Sequence, residues 1–380
     1  MDCGRPEENF WKTLFEQAGH QELIADDKYT DFLEWKPDRS NCPELDAATT
    51  NLIQIAPIER KATMRNIFVA RAFKGDANAE ASSFKGAGII EINYGLSVAA
   101  MIYCTLFSQF YDSIQTAGYE IDWNDDDHET TLLIVEEIER SAFEPIAVTD
   151  QAIHVWAAER HVYATHSLHS DLPRRRKESD YFNLVLTVEE FVVGHEYCHH
   201  MLGHTDPSFR HSLDAKKTVR DWLQRINADG ITSGLNENQR QELEADVGAF
   251  LLVAGMLSGS GTRTLMYRAV GGSMLALIAM AHVSESWVSG GDNHPDYLLR
   301  YEVMSRLIKE ATMGMPLGEI GDHPLGYLIQ FRGFISAVLQ TWASKAGLDI
   351  KAPNFLNIFS WMIDLGNEFR EEFERGGPVE

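Results

Sequence analysis

Hydrophobic and polar positions follow two different periods along this chain. From Leu184 to Val193 the sequence reads Leu-Val-Leu-Thr-Val-Glu-Glu-Phe-Val-Val and runs straight into Gly194-His195-Glu196-Tyr197-Cys198-His199. So dense an apolar run predicts a buried helix. Thr187 and Glu190 have the spacing of a capping box, which makes Thr187 one candidate start for this helix and Asp180 the other. A second helical pattern (Val247, Phe250, Leu251, Val253) follows the acidic stretch Gln241–Asp246, and a third occupies 262–284. Helices are also expected at 7–35, 95–118, 130–142, 149–163 and Ala215–Ile226. Ile67–Phe73 and Gly88–Asn93 are instead β-rich runs separated by a Gly/Ala/Ser/Asn loop, and predict strands of a small antiparallel sheet. The pattern as a whole gives a mainly helical α+β fold. It divides into an N-terminal helical cap (1–62), a central domain (63–310) and an aromatic-rich helical region (311–380) that packs on it.

Composition adds a constraint on partners. The 380 residues are ample for a buried core, and 44% hydrophobic with 24% charged residues is ordinary for a globular protein. A formal net charge of −24 is not ordinary, and argues against nucleic acid or an anionic membrane as partner. The acidic loop 122–129, the basic run Arg174–Lys177 and the histidines His154, His161, His166 and His169 lack ligand or motif spacing and read as solvated surface. Four scattered cysteines (Cys3, Cys42, Cys104, Cys198) suggest reduced thiols, hence a cytoplasmic protein. Met1–Glu8 is polar, without a secretory pattern, and no uninterrupted apolar window reaches the roughly 18 residues of a membrane span. The nearest, Gly95–Phe107 and Ala269–Val283, read as core helices.

The candidate chemistry lies where the apolar run meets the histidines. On a helix, His195 and His199 project from one face, one turn apart, so that two imidazoles can reach one tetrahedral zinc ion. Glu196 is rotated about 100° from His195, beside the metal rather than on it, where a general base belongs. A catalytic zinc needs a third protein ligand. In Gln241-Glu242-Leu243-Glu244-Ala245-Asp246, Glu242 and Asp246 share a helix face. Glu242 would complete the ligand set, and Asp246 would accept the free N–H of a ligating histidine. Glu244 points about 200° away from Glu242 and is expected in solvent. A metzincin would place Gly and His three and six residues after the second histidine. Leu202 and Thr205 stand there. His204 lies about 180° around a continuous helix from His195, and is expected at the helix end, supporting a ligand rather than being one.

His195-Glu196-x-x-His199 followed by Glu242-x-x-x-Asp246 resembles the gluzincin metallopeptidases, in the branch of the CAAX prenyl proteases and HtpX-type proteases. Asn293-His294-Pro295-Asp296-Tyr297-Leu298-Leu299-Arg300 is similar to that branch's downstream His-Pro element, and Leu202-Gly203-His204 fits the same branch. The lack of an expected membrane span, and the strand Gly88–Asn93 leading into a helix, are closer to the Lit-type phage-exclusion peptidases. The resemblance covers roughly 65–305. It implies a zincin-like domain with one zinc ion per chain on His195, His199 and Glu242, and peptide-bond hydrolysis with Glu196 as base. His294 and Arg300 would then lie near the active site, stabilising an oxyanion or bracing a ligand. Gly88–Asn93 or a neighbouring strand would offer its edge to an extended protein or peptide substrate. Two other classes remain open: a catalytically silent binding or regulatory protein on the same scaffold, and a defence or toxin-like protease that waits for an activating partner.

Overall fold

The computed structural model describes residues 43–72, 78–84, 87–93, 178–205, 213–283 and 290–313, most of 95–108 and parts of 315–338. The expected helices at 7–35, 130–142 and 149–163, the loop at 122–129, the Arg174–Lys177 run, the four histidines of 154–169, Cys3, Cys42 and most of the C-terminal aromatic region lie outside these residues. Two helices, α1 (Pro43–Ile55) and α2 (Ile58–Arg65), precede strands β1 (Phe68–Ala72), β2 (Ala79–Phe84) and β3 (Ala87–Asn93). Described residues within 95–108 are helical. Then come α3 (Glu178–Leu202), α4 (Leu213–Arg225), the single turn α5 (Asp229–Thr232), α6 (Glu237–Val253), α7 (Arg263–Val283) and α8 (Tyr297–Thr312). Among the described residues the architecture is mainly helical with one small sheet.

The sheet is mixed, not antiparallel as expected. Its order is β1-β3-β2, with β1 parallel and β2 antiparallel to β3. The difference comes from β2, which falls in the stretch read as a loop. Ala-Glu-Ala-Ser-Ser-Phe has one aromatic and no β-branched residue, so nothing local announces a strand. It is paired by its tertiary neighbour. The hairpin partner β3 thereby becomes the central strand, and β2 the edge. On β3, Ile90 and Ile92 face the main core, while Ile89 turns to the other side with Phe68 and Ala70. That alternation is the two-residue period of a strand covered on both faces.

Helix α3 is the axis of the helical layer, and α1, α6 and α7 pack around it. It begins before both expected starts. Thr187 lies well inside it and returns its hydroxyl to the Leu184 carbonyl at 2.7 Å, so it caps nothing. Glu190, its supposed box partner, is buried; it accepts from Asn51 Nδ2 at 2.7 Å and pairs with Arg268. Burial alone pushes its carboxyl upward, against Arg268 and Asn51, which pull it down. Glu189, also buried, accepts from Ser97 Oγ at 3.1 Å. The two acids that interrupt the apolar run therefore bind α3 to its neighbours.

Two glycines set the helix crossings. A Cβ on Gly272 of α7 would stand 2.2 Å from the Thr187 carbonyl oxygen, so α7 lies backbone against backbone on α3. A Cβ on Gly248 of α6 would stand 2.8 Å from Cys198 Sγ, one residue before His199. The 19-residue stretch Arg263–Ala281 of α7 is long and apolar enough to cross a membrane by length and composition, which departs from the expectation of no such stretch. The burial of 72% of that window against the other helices accounts for its apolarity. At the far end of the core, Phe331 stacks on Phe107 with ring centroids 4.0 Å apart, and Phe334 meets Phe107 edge-on.

Gly272→Ala must push α3 and α7 apart, and is expected to lower the unfolding free energy by about 1–3 kcal/mol. Gly194→Ala meets only ordinary contacts, at 3.7 Å to Ala249 and Val253, and should hold or raise stability by up to about 1 kcal/mol through helix propensity. Urea denaturation midpoints of the two variants beside wild type check both signs.

Candidate functional site

His195 and His199 lie on the last turns of α3, and Glu242 and Asp246 on the first turns of α6. The close crossing at Gly248 and Cys198 brings the two faces together. His195 Nε2 is 3.0 Å from His199 Nε2 and 3.3 Å from Glu242 Oε2, while His199 Nε2 is 3.4 Å from Glu242 Oε1. Three residues on two helices thus each offer a donor atom within 4.8 Å of the others, in a group that could hold a metal ion.

Asp246 sits directly behind His195, as expected. His195 Nδ1 is 2.9 Å from Asp246 Oδ1. Arg300 closes the other side of that carboxylate, donating from Nε to Oδ2 and from Nη2 to Oδ1, each at 2.7 Å. Arg300 is 2% exposed and Asp246 1%, so this is a buried, forked ion pair. Of the two roles the resemblance left open for Arg300, the packing fits the brace: the fork is spent on Asp246, not aimed at a reacting group. Its helix α8 is started by Asp296, whose carboxylate accepts from the Leu299 N–H at 2.8 Å.

His294 comes from the loop before α8. Its Nδ1 is 3.0 Å from Glu242 Oε2 but makes no aligned hydrogen bond, and its side chain is 45% exposed at the cleft. The loop is held from α6, where Asn236 Nδ2 donates to the Asp292 carbonyl at 2.8 Å and Gln239 Nε2 to the Gly291 carbonyl at 2.9 Å. The same two residues form the capping box that starts α6. One device therefore begins the Glu242 helix and tethers the His294 loop to it.

The structure corrects the sequence reading at Glu244, and shows how His204 comes to the helix end. Helix α3 does not continue past Leu202. Gly203 takes φ 76°, the His204 N–H donates to the His199 carbonyl at 2.9 Å, and the Gly203 N–H to that of His200 at 3.3 Å. This is a Schellman turn. It swings His204 back onto the candidate ligand pair, its Nδ1 3.2 Å from His199 Nδ1 and its Nε2 3.0 Å from Glu244 Oε2. Glu244 is therefore engaged and largely buried, not solvated; in sequence it carried no more signal than any acid in a first helical turn. The neighbouring His200, 0% exposed, bonds the β3 carbonyl of Ile89 at 3.2 Å, fixing the end of α3 to the central strand.

These groups open on a cleft of about 580 Å³. Its floor carries the two histidines, Glu196 and Glu242; one wall is apolar (Leu96, Phe191, Met280), and the other is Asn78–Ala81 at the start of β2. Glu196 is 4% exposed. Burial drives its carboxyl up to about 7, with the His195 charge opposing and the Glu242 charge assisting. Burial disfavours charge on His195, yet Asp246 and Glu242 outweigh it and raise the ring to about 10. His199 is lowered by burial, against Glu242. Glu242 and Asp246 are both held below the usual carboxylate range despite burial, Glu242 by the histidines and Asp246 by Arg300 and His195. In the metal-free protein these carboxylates thus favour the protonated form of His195 at neutral pH.

No family model, curated protein or solved structure matches this chain. The chemistry of the site rests on its own geometry.

Because His195 is raised to about 10, a divalent cation bound at this cluster would have to displace its Nε2 proton at neutral pH. Isothermal titration in buffers of different ionisation enthalpy should find about one proton released per metal bound at pH 7–8, with affinity rising about tenfold per pH unit. Arg300→Met leaves the Asp246 carboxylate buried beside His195 alone, and is expected to cost about 3–5 kcal/mol in denaturant unfolding.

Proposed function

We propose that the chain is a zinc-dependent endopeptidase of the zincin-like type, resembling the gluzincins. The observation that supports this best is the spacing of the three donor atoms. Ligands about 2.0–2.1 Å from a tetrahedral zinc lie about 3.3–3.4 Å from one another. The two Nε2 atoms stand 3.0 Å apart, and the two oxygens of Glu242 lie 3.3 Å from His195 Nε2 and 3.4 Å from His199 Nε2, close to those spacings before any ion enters. Two imidazoles and one carboxylate also form a donor set of the His2Glu kind that leaves a fourth position open for chemistry. His294 Nδ1, 3.0 Å from Glu242 Oε2 without an aligned hydrogen bond, adds a polar atom beside that carboxylate.

Zinc bound there would supply Lewis acidity, acidifying a water and polarising a peptide carbonyl. The protein's own residues do the rest. Asp246 and Arg300 fix the His195 ring and its tautomer. Glu196, at the cleft floor with a carboxyl near neutrality, takes the proton of the attacking water and returns it to the leaving amine. His294, exposed on the cleft side of Glu242, is suited to donate to the developing oxyanion. An extended peptide would lie along β2, because among the described residues no strand pairs with its outer edge, and Asn78–Ala81 faces the cleft. The neighbouring-strand form of the substrate-edge expectation therefore carries over, while Gly88–Asn93 itself is taken up as the central strand.

Metal analysis of purified protein should give about one zinc per chain, strongly weakened in Glu242→Ala. Glu196→Gln should keep the metal and lose peptide hydrolysis on a quenched-fluorescent peptide mixture by at least about a hundredfold. Wild-type rates from a zinc-loaded Glu196→Gln protein would sink the proposed role of Glu196.

A further inference from the structure

His195 and His199 each have an outer ring nitrogen, and the two are served differently. His195 reaches the carboxylate of Asp246 directly. His199 Nδ1 faces another imidazole, that of His204, which in turn reaches Glu244. Glu244 lies on α6 between the two acids that serve the cluster, but two residues from each, so it points away from them by most of half a turn. It can act on the site only through an intermediary, and the ring of His204, 2% exposed, spans that gap.

If a metal takes Nε2 of His199, hydrogen-bond chemistry sets the remaining protons in this series. Two imidazole nitrogens 3.2 Å apart can share one proton between them. With Nε2 of His199 directed at the metal point, its proton must sit on Nδ1. His204 then accepts at Nδ1, carries its own proton on Nε2 and donates to Glu244 Oε2. The series closes at the surface, where Arg220 Nε stands 3.4 Å from Glu244 Oε1.

We propose that His204 and Glu244 are positioning residues for the metal, a relay that fixes the orientation and tautomer of His199 as Asp246 does for His195. Both rings would then be locked before the ion arrives, one by a carboxylate in contact and the other through a second ring. The Schellman turn at Gly203 is what makes the relay possible, since a continuous helix would carry His204 away. The inference rests on the metal reading above.

Its test combines zinc affinity with the protonation state of the rings. Zinc competition against a fluorescent chelator should show Glu244→Ala weakened about ten- to a hundredfold, with Glu244→Gln, which keeps an acceptor oxygen, recovering part of the loss. Nitrogen-15 histidine spectra of the zinc-loaded wild type should show His199 protonated on Nδ1 and His204 neutral with its proton on Nε2. A purely structural role would not dictate those tautomers. His204 protonated on Nδ1, or Glu244→Ala binding zinc as tightly as wild type, overturns the relay and leaves the three-ligand site standing. If the wild type takes up no zinc, the metal reading and the relay fall together. Should Glu244→Ala fail to fold, the wild-type spectra decide alone.

Discussion

A carboxylate in the middle of a protein must be compensated, and the compensation of Asp246 organises this one. Its two oxygens are shared between the His195 ring and the Arg300 fork, so one buried group ties α3, α6 and α8 together. Removing either partner would strand a charge far from water, a cost of several kcal/mol that no small movement of surface helices can relieve. The same bond that holds three helices in register also orients the first histidine of the candidate site. Stability and site geometry are therefore one constraint.

The charge balance around that pair explains why a cation suits the cleft. Glu196, Glu242 and Asp246 lie within or behind one small volume, against the buried Arg300. In the metal-free protein a proton on His195 offsets part of the surplus, and Glu196 is pushed toward its neutral form. A divalent ion at the donor triangle would replace that proton and favour ionised Glu196, the form a general base requires. The net charge of −24 adds a long-range field of the same sign, which draws cations toward the protein at low ionic strength.

Rigid and adjustable parts are separated. The candidate ligand side chains stand on long helices locked by backbone-close crossings at Gly248 and Gly272. The groups that would meet a substrate stand on the edge strand β2 and on the loop carrying His294, which amide side chains of α6 tether through exposed hydrogen bonds. Precision is needed where an ion is held, and tolerance where chains of varied sequence must enter.

Much of the site was legible from the sequence because it is written in local helical periodicity. His195 with His199, and Glu242 with Asp246, are each four apart on helices whose apolar patterns are unambiguous, and the structure brings these residues together. The partners decided by tertiary contact were not legible. Strand β2 has no propensity of its own and is made by pairing with β3, which turned an expected antiparallel sheet into a mixed one. Glu190 resembled half of a helix cap and is instead a buried partner of Arg268 and Asn51. Glu244 was expected in solvent because it points away from Glu242 and Asp246 on its own helix, and the turn at Gly203 that brings His204 to meet it is not periodic. Periodicity along a chain determines which side chains share a face of one helix. Which faces meet, and where a helix stops so that a side chain can turn back, depends on close approaches between segments distant in sequence, and only the folded structure decides that.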